Sequence, residues 1–169
     1  MRGFYWIIEE ALAGSGQPGW RGRGQGLGAP APHAAQPNDL DEDLAWLRGH
    51  GIGAILSLTE TPLPEEALAR QGFATRHVPV RDMTAPAPEQ LEEALEFIDQ
   101  QRARGRRVLV HCLVGQGRTG TVLAAYLIRA GMAPEAALAH LRSVCPDAVS
   151  SGEQQRALAA FAERRDWIA

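Results

Sequence analysis

An α/β sandwich, with one central and mostly parallel sheet covered by helices on both faces, is the fold this chain predicts. Three observations carry that reading. Short apolar or β-branched runs alternate with stretches of helical period, as in strands that return to one sheet through helices. The clearest junction, residues 107–128, passes from a buried-strand pattern through a glycine-bearing loop into an apolar helix. The length of 169 residues suits one domain with a substantial core, so residues 1–169 are read as a single unit.

Strand patterns fall near residues 4–8, 11–13, 53–58, 73–79 and 106–111. Residues 39–51 read as a capped helix ending at glycine, with Leu40, Leu44 and Leu47 on one face. Residues 88–104 repeat apolar side chains at Leu91, Leu95 and Ile98, and Phe97 widens that face. The opposite face carries Glu92, Glu93, Glu96, Asp99, Arg102 and Arg104 and reads as solvated surface. Residues 119–130, 134–143 and 153–167 supply three more helices. Residues 14–37 break the regularity. Glycine and proline dominate there without an apolar period, which predicts a flexible surface loop. Within it, Arg21 and Arg23 either reach the rim of a functional site or belong to a tolerated insertion.

Composition narrows the function classes. A formal net charge of -3 gives no reason to expect a general polyanion binder, so any phosphate affinity has to be local. No apolar run approaches the roughly 20 residues that span a bilayer. Glu9 and Glu10 interrupt the apolar start too early for a signal peptide, so the expected compartment is the cytoplasm. Two cysteines make no disulfide framework, and a reducing compartment would keep Cys112 free. Cys145 reads as a packing residue near a helix end, or as a thiol able to capture an oxidised Cys112. The five histidines show no metal-ligand spacing, and neither metal nor cofactor is expected.

The chemistry concentrates in residues 111–120, His-Cys-Leu-Val-Gly-Gln-Gly-Arg-Thr-Gly. A loop between a strand and a helix N-terminus is a ready anion site, because unpaired N–H groups converge where the helix dipole is positive. Cys112 opens this loop and Arg118 closes it. Converging N–H groups, Arg118 and the Thr119 hydroxyl would each favour a thiolate over a thiol. Such a thiolate can attack phosphorus, forming a phosphocysteine that splits one hard hydrolysis into two easier steps. The planar fork of Arg118 can hold two phosphoryl oxygens at once, where lysine offers a point charge. The backbone of Leu113, Val114, Gly115, Gln116, Gly117 and Arg118 would cradle the phosphate. His111 would support the loop by hydrogen bonding.

Such chemistry also needs a proton donor for the leaving oxygen. Asp82, in the Pro-flanked segment after the fourth strand pattern, is one candidate; Asp39, Asp41, Asp43 and Asp147 are others. A turn aspartate often serves only its own backbone.

Together these residues resemble the cysteine-dependent protein tyrosine phosphatase superfamily, and in particular its small atypical dual-specificity members of the VHZ type. Residues 6–18 resemble the family's opening strand pair, and 51–60 its central strand and following turn. Residues 80–91 resemble its acid loop, and 111–121 its signature loop. The likeness covers almost everything except residues 20–36. It implies Cys112 as nucleophile, Arg118 as phosphate clamp, Asp82 as general acid and Thr119 as the hydroxyl aiding thiolate departure. It also implies an accessory role for Gln154, near a glutamine that relatives carry. Ser150-Ser151 stand where many relatives have Glu-Thr.

The resemblance implies a phosphatase acting on phosphotyrosine in a protein or peptide, and also on phosphoserine or phosphothreonine. Neither membrane nor nucleic acid is expected as a partner, and a monomer is expected. Alternatives are an RNA 5′-triphosphatase, a phosphoinositide phosphatase and a phospho-binding module without turnover. The absence of Lys or Arg between Cys112 and Arg118 weakens the phosphoinositide alternative.

Overall fold

The computed structural model describes residue 1, residues 3–20 and residues 37–166. In chain order the elements are β1 (Tyr5–Ile8), β2 (Leu12–Ser15), α1 (Pro37–Gly49), β3 (Ile52–Ser57), α2 (Glu65–Arg70) and β4 (Ala74–His77). They continue with α3 (Pro88–Ala103), β5 (Arg107–His111), α4 (Gly117–Arg129), α5 (Pro134–Val144) and α6 (Gly152–Asp166). The five strands form one sheet in the order β1-β2-β5-β3-β4. β1 runs antiparallel to β2, and the other pairings are parallel. The predicted α/β sandwich is therefore the observed fold.

The alternation of side chains along β5 explains the three layers. Val108 and Val110 face one core, while Leu109 faces the other. The larger core holds α3, α4, α5 and α6, through Leu95, Leu123, Leu141 and Leu158 among others. The smaller core takes Leu44 and Leu47 of α1 and Leu68 of α2. Each fully buried leucine or isoleucine contributes about 1.5–3 kcal/mol relative to exposure. In β3 the alternation slips: Ile52 and Ile55 share one core and Ala54 and Leu56 the other, with a bulge between Ile52 and Ala54 against β5.

α4 is buried from Arg118 through Ile128, which is why its sequence is apolar all round rather than striped. β5 lies between β2 and β3, so residues 112–116 leave the carboxyl end of the central strand and enter α4.

Three expectations need correction. Residues 14–20 are not part of a flexible loop. Gly14 and Ser15 complete β2, Gly16 through Gly19 are buried, and Trp20 is half-buried. Small residues there let other groups pack against the backbone, and in sequence that need resembles a lack of structure. The short helix α2 was not anticipated, because six residues with only Ala67 and Leu68 buried show no period. α4 begins at Gly117, so Arg118 sits inside its first turn rather than before it. Arg21 and Arg23 lie outside the described residues, as does the end of the predicted last helix at Trp167.

Candidate active site

The loop from Cys112 to Gly117 is set by glycine where no other residue fits. Gly115 has φ +88°, and a Cβ there would lie 2.4 Å from the carbonyl carbon of Ser15 and 2.6 Å from the nitrogen of Gly16. Both are backbone atoms and cannot rotate away. With Gly115 in this conformation, its N–H donates to the Cys112 sulfur over 3.3 Å. Cys112 itself is 2% exposed. The loop is also fastened to β2's continuation, where the Gln17 N–H donates to the Leu113 carbonyl at 3.0 Å.

Arg118 is 4% exposed, and its guanidinium points across to the segment after β4. Nη1 donates to the Val80 carbonyl at 2.9 Å, and Nη2 pairs with Asp82 Oδ1 at 2.6 Å. Asp82 also accepts from the Met83 N–H at 3.0 Å, in a turn where Met83 takes φ +63°. Two adjacent residues of α6 grip the same turn. Gln154 Nε2 donates to the Thr84 carbonyl at 3.2 Å, and Glu153 Oε1 accepts from the Ala85 N–H at 3.1 Å. Asp82, Cys112, Gln116, Gly117, Arg118 and Gln154 thus line one cleft. A second hollow shares Asp82 and Arg118 as its wall and is lined beyond them by Gln17, Thr59, Glu60, Thr61 and Leu113.

The structure narrows the choice among aspartates. Asp43 is buried and accepts from the Gly19 N–H at 2.8 Å, so it anchors the turn after β2. Asp41 pairs with Arg70 on the surface. Asp82 faces the cleft with Cys112.

Gln154 is 3% exposed and packs beneath Gly117, where a Cβ would approach its Nε2 to 2.7 Å. A solvated helix-start residue would look quite different. The Thr119 hydroxyl is buried without a hydrogen-bond partner among the described residues. Buried hydroxyls usually have partners, which sets this one apart in the first turn of α4.

His111 is fully buried at the end of β5. Its Nδ1 lies 3.3 Å from the Cys112 carbonyl, which can only accept, so Nδ1 carries the proton. Nε2, 2.7 Å from Ser57 Oγ, then accepts the Ser57 hydroxyl proton. Burial pushes the imidazole down from 6.5 to about 4, and the hydrogen bond to Cys112 offsets only part of that. The unfolded chain therefore binds the extra proton first as pH falls. Stability from neutral His111 is complete above about pH 6.5 and lost progressively towards about pH 4, by about 3 kcal/mol. His111→Asn should flatten the pH slope of unfolding free energy by up to one proton in that window. Chemical denaturation followed across the same pH range checks this.

Fold and loop together define a class: an α/β sandwich presenting a cysteine-to-arginine loop beyond its central strand. Comparison with known proteins agrees. The family model described as polymorphic toxin system, DSP-PTPase phosphatase, matches residues 27–132, more than half of the chain. The crystal structure of Tk-PTP in the active form is similar at 30% identity and a TM-score of 0.77, covering 96% of this chain and 97% of that one. The Arabidopsis thaliana phosphatidylglycerophosphate phosphatase PTPMT1 is 30% identical over 127 residues, 70% of this chain and 37% of that protein. Mouse dual specificity protein phosphatase 2 is 37% identical over 89 residues, 52% of this chain and 27% of its own length. The chain thus spans well under two thirds of these curated relatives. It belongs to the DSP-PTPase phosphatases, within the cysteine-dependent protein tyrosine phosphatase superfamily.

Among the described residues, no helix is long and apolar enough to cross a membrane, and no group of His, Cys, Asp and Glu is placed to hold a metal. Reading the sequence did not find Tyr5, Gln17, Ser57 or Glu153 as contributors to this site. Their partners lie between 54 and 110 positions away along the chain, and nothing local marks them.

Proposed function

We propose that the protein hydrolyses phosphotyrosine in proteins or peptides, with phosphoserine and phosphothreonine as further substrates, through a phosphocysteine on Cys112. The observation that carries this reading is the meeting of three groups in one cleft. Cys112 lies under the Gly115 N–H, and Arg118 and Asp82, joined to each other, line the same cleft. In the first step the Cys112 sulfur bonds to phosphorus, the phosphorus–oxygen ester bond breaks, and Asp82 gives its proton to the departing oxygen. In the second, water attacks phosphorus, Asp82 takes a proton from it, and sulfur leaves as thiolate. Thr119, with its uncommitted hydroxyl, donates to that sulfur. Arg118 exchanges Asp82 for two phosphoryl oxygens, and N–H groups from Leu113 to Arg118 hold the others. Gln154 steadies the acid turn and borders the attacking water. A monomer in a reducing compartment such as the cytoplasm, without metal or cofactor, is sufficient.

The two Arabidopsis relatives named phosphatidylglycerophosphate phosphatases favour a second reading, a lipid phosphomonoester as substrate. Against a highly phosphorylated headgroup stands the wall of the adjoining hollow, where Glu60 and Asp82 accompany Arg118. One panel separates the readings: phosphotyrosine and phosphoserine peptides, phosphatidylglycerophosphate in vesicles, and triphosphate-ended RNA, each with and without chelator. Phosphate release should be fastest from phosphotyrosine and unaffected by chelator. Faster release from lipid or RNA would transfer the assignment to that substrate, and metal dependence would refute the phosphocysteine route.

A further inference from the structure

We propose that Tyr5, from the first strand, is a positioning residue for the bound phosphate: it holds the Gly115–Gln116 peptide so that the Gln116 N–H faces the ligand. This rests on the phosphate-loop reading above and adds a residue to it. Tyr5 and Gly14 are directly opposed in the β1–β2 pair. A Cβ on Gly14 would fall 2.4 Å from Tyr5 Cζ and 2.5 Å from its hydroxyl oxygen, so the ring lies flat across that glycine. Crossing there, the ring reaches over β2, and its hydroxyl donates to the Gly115 carbonyl at 2.8 Å. No other side chain could sit at position 14 and leave this path open.

The consequence follows from peptide planarity. In a trans peptide the C=O and N–H point in opposite directions. Fixing the Gly115 carbonyl outward on Tyr5 therefore aims the Gln116 N–H the other way, away from β1. The preceding N–H, that of Gly115, already reaches the Cys112 sulfur. Gln17 does the same at Leu113, which fixes the plane of the Leu113–Val114 peptide and the direction of the Val114 N–H. Two carbonyls on the outer side of the loop are thus held by the N-terminal strands. A donor on a carbonyl also polarises its own peptide, making the opposite N–H a stronger donor. The hydroxyl stays protonated and able to donate, since burial pushes its ionisation far above the ordinary range. The Cys145 thiol approaches the same carbonyl at 4.0 Å, too far to replace the hydroxyl.

The test uses the whole chain with inorganic phosphate as competitive inhibitor and an aryl phosphate as substrate. Tyr5→Phe keeps the ring over Gly14 and removes only the donor. Phosphate inhibition should weaken about two- to tenfold, and kcat/KM should fall by a similar factor. Replacing Tyr5 with 4-aminophenylalanine, which keeps a donor in place, should recover most of both. A purely structural Tyr5 would lower the melting temperature and leave both constants unchanged well below it; that result overturns the proposal. If the wild-type chain neither releases phosphate nor is inhibited by it, the phosphate-loop reading falls as well. If it does both and Tyr5→Phe matches it, the role of Tyr5 alone is refuted.

Discussion

Cys112→Ser should reduce phosphate release by about ten-thousandfold or more while leaving phosphopeptide binding intact. The two halves of that expectation have separate physical origins. Turnover needs a good nucleophile that is also a good leaving group, and a serine hydroxyl is neither at neutral pH. Binding needs the loop's N–H groups and the Arg118 fork; the substitution keeps all of them and changes only the atom that the Gly115 N–H meets. Cys112 is buried at the end of the central strand, and oxygen is smaller than sulfur, so the loop has no reason to rearrange. The Gly115 turn that shapes it is dictated by the Ser15 and Gly16 backbone instead. Acid-quenched turnover of the wild-type chain should show phosphorus on the peptide containing Cys112, and the variant should show none. Equal phosphate release from both chains would exclude a covalent role for this sulfur and reopen the choice of mechanism.

The loop could be read from sequence because its chemistry is contiguous. Cysteine, glycines and arginine fall within seven residues between a strand pattern and a helix pattern, and local rules cover all three. Asp82 was harder. Nothing in its own segment ties it to the loop; what does so is the 2.6 Å contact with Arg118, 36 positions away. Gln154 was harder still, since its burial depends on α6 docking beneath Gly117. Tyr5 was not legible at all. Its neighbours Phe4, Trp6 and Ile7 read as an ordinary strand, and the glycine that makes room for its ring reads as flexibility. Gly14 illustrates the general difficulty: a residue chosen because something packs tightly against it and a residue chosen because nothing does are both written as glycine. Periodicity found the longer helices because burial repeats along them. It had no purchase on α2, which buries too little to repeat.

Asp82→Asn should slow turnover of an aryl phosphate by about a hundredfold or more. In the wild-type chain the Asp82 carboxyl gives the departing oxygen its proton. An amide cannot donate that proton, so the loss should be largest for esters with poor leaving groups. The observed ion pair adds a second, opposite effect. Asp82 occupies one arm of the Arg118 fork at 2.6 Å, an arm that a phosphoryl oxygen would take under the proposed mechanism. Asparagine carries no charge to compete for it. Inorganic phosphate should therefore bind the variant more tightly, by up to about fivefold for a half-exposed pair. A residue that merely stabilised the turn would lower rate and affinity together. Slower chemistry with tighter phosphate separates an acid that must release the clamp before it acts from a carboxylate that only caps a turn. An undiminished rate would send the acid role elsewhere, and unaltered phosphate affinity would show that the Asp82–Arg118 contact does not compete with ligand.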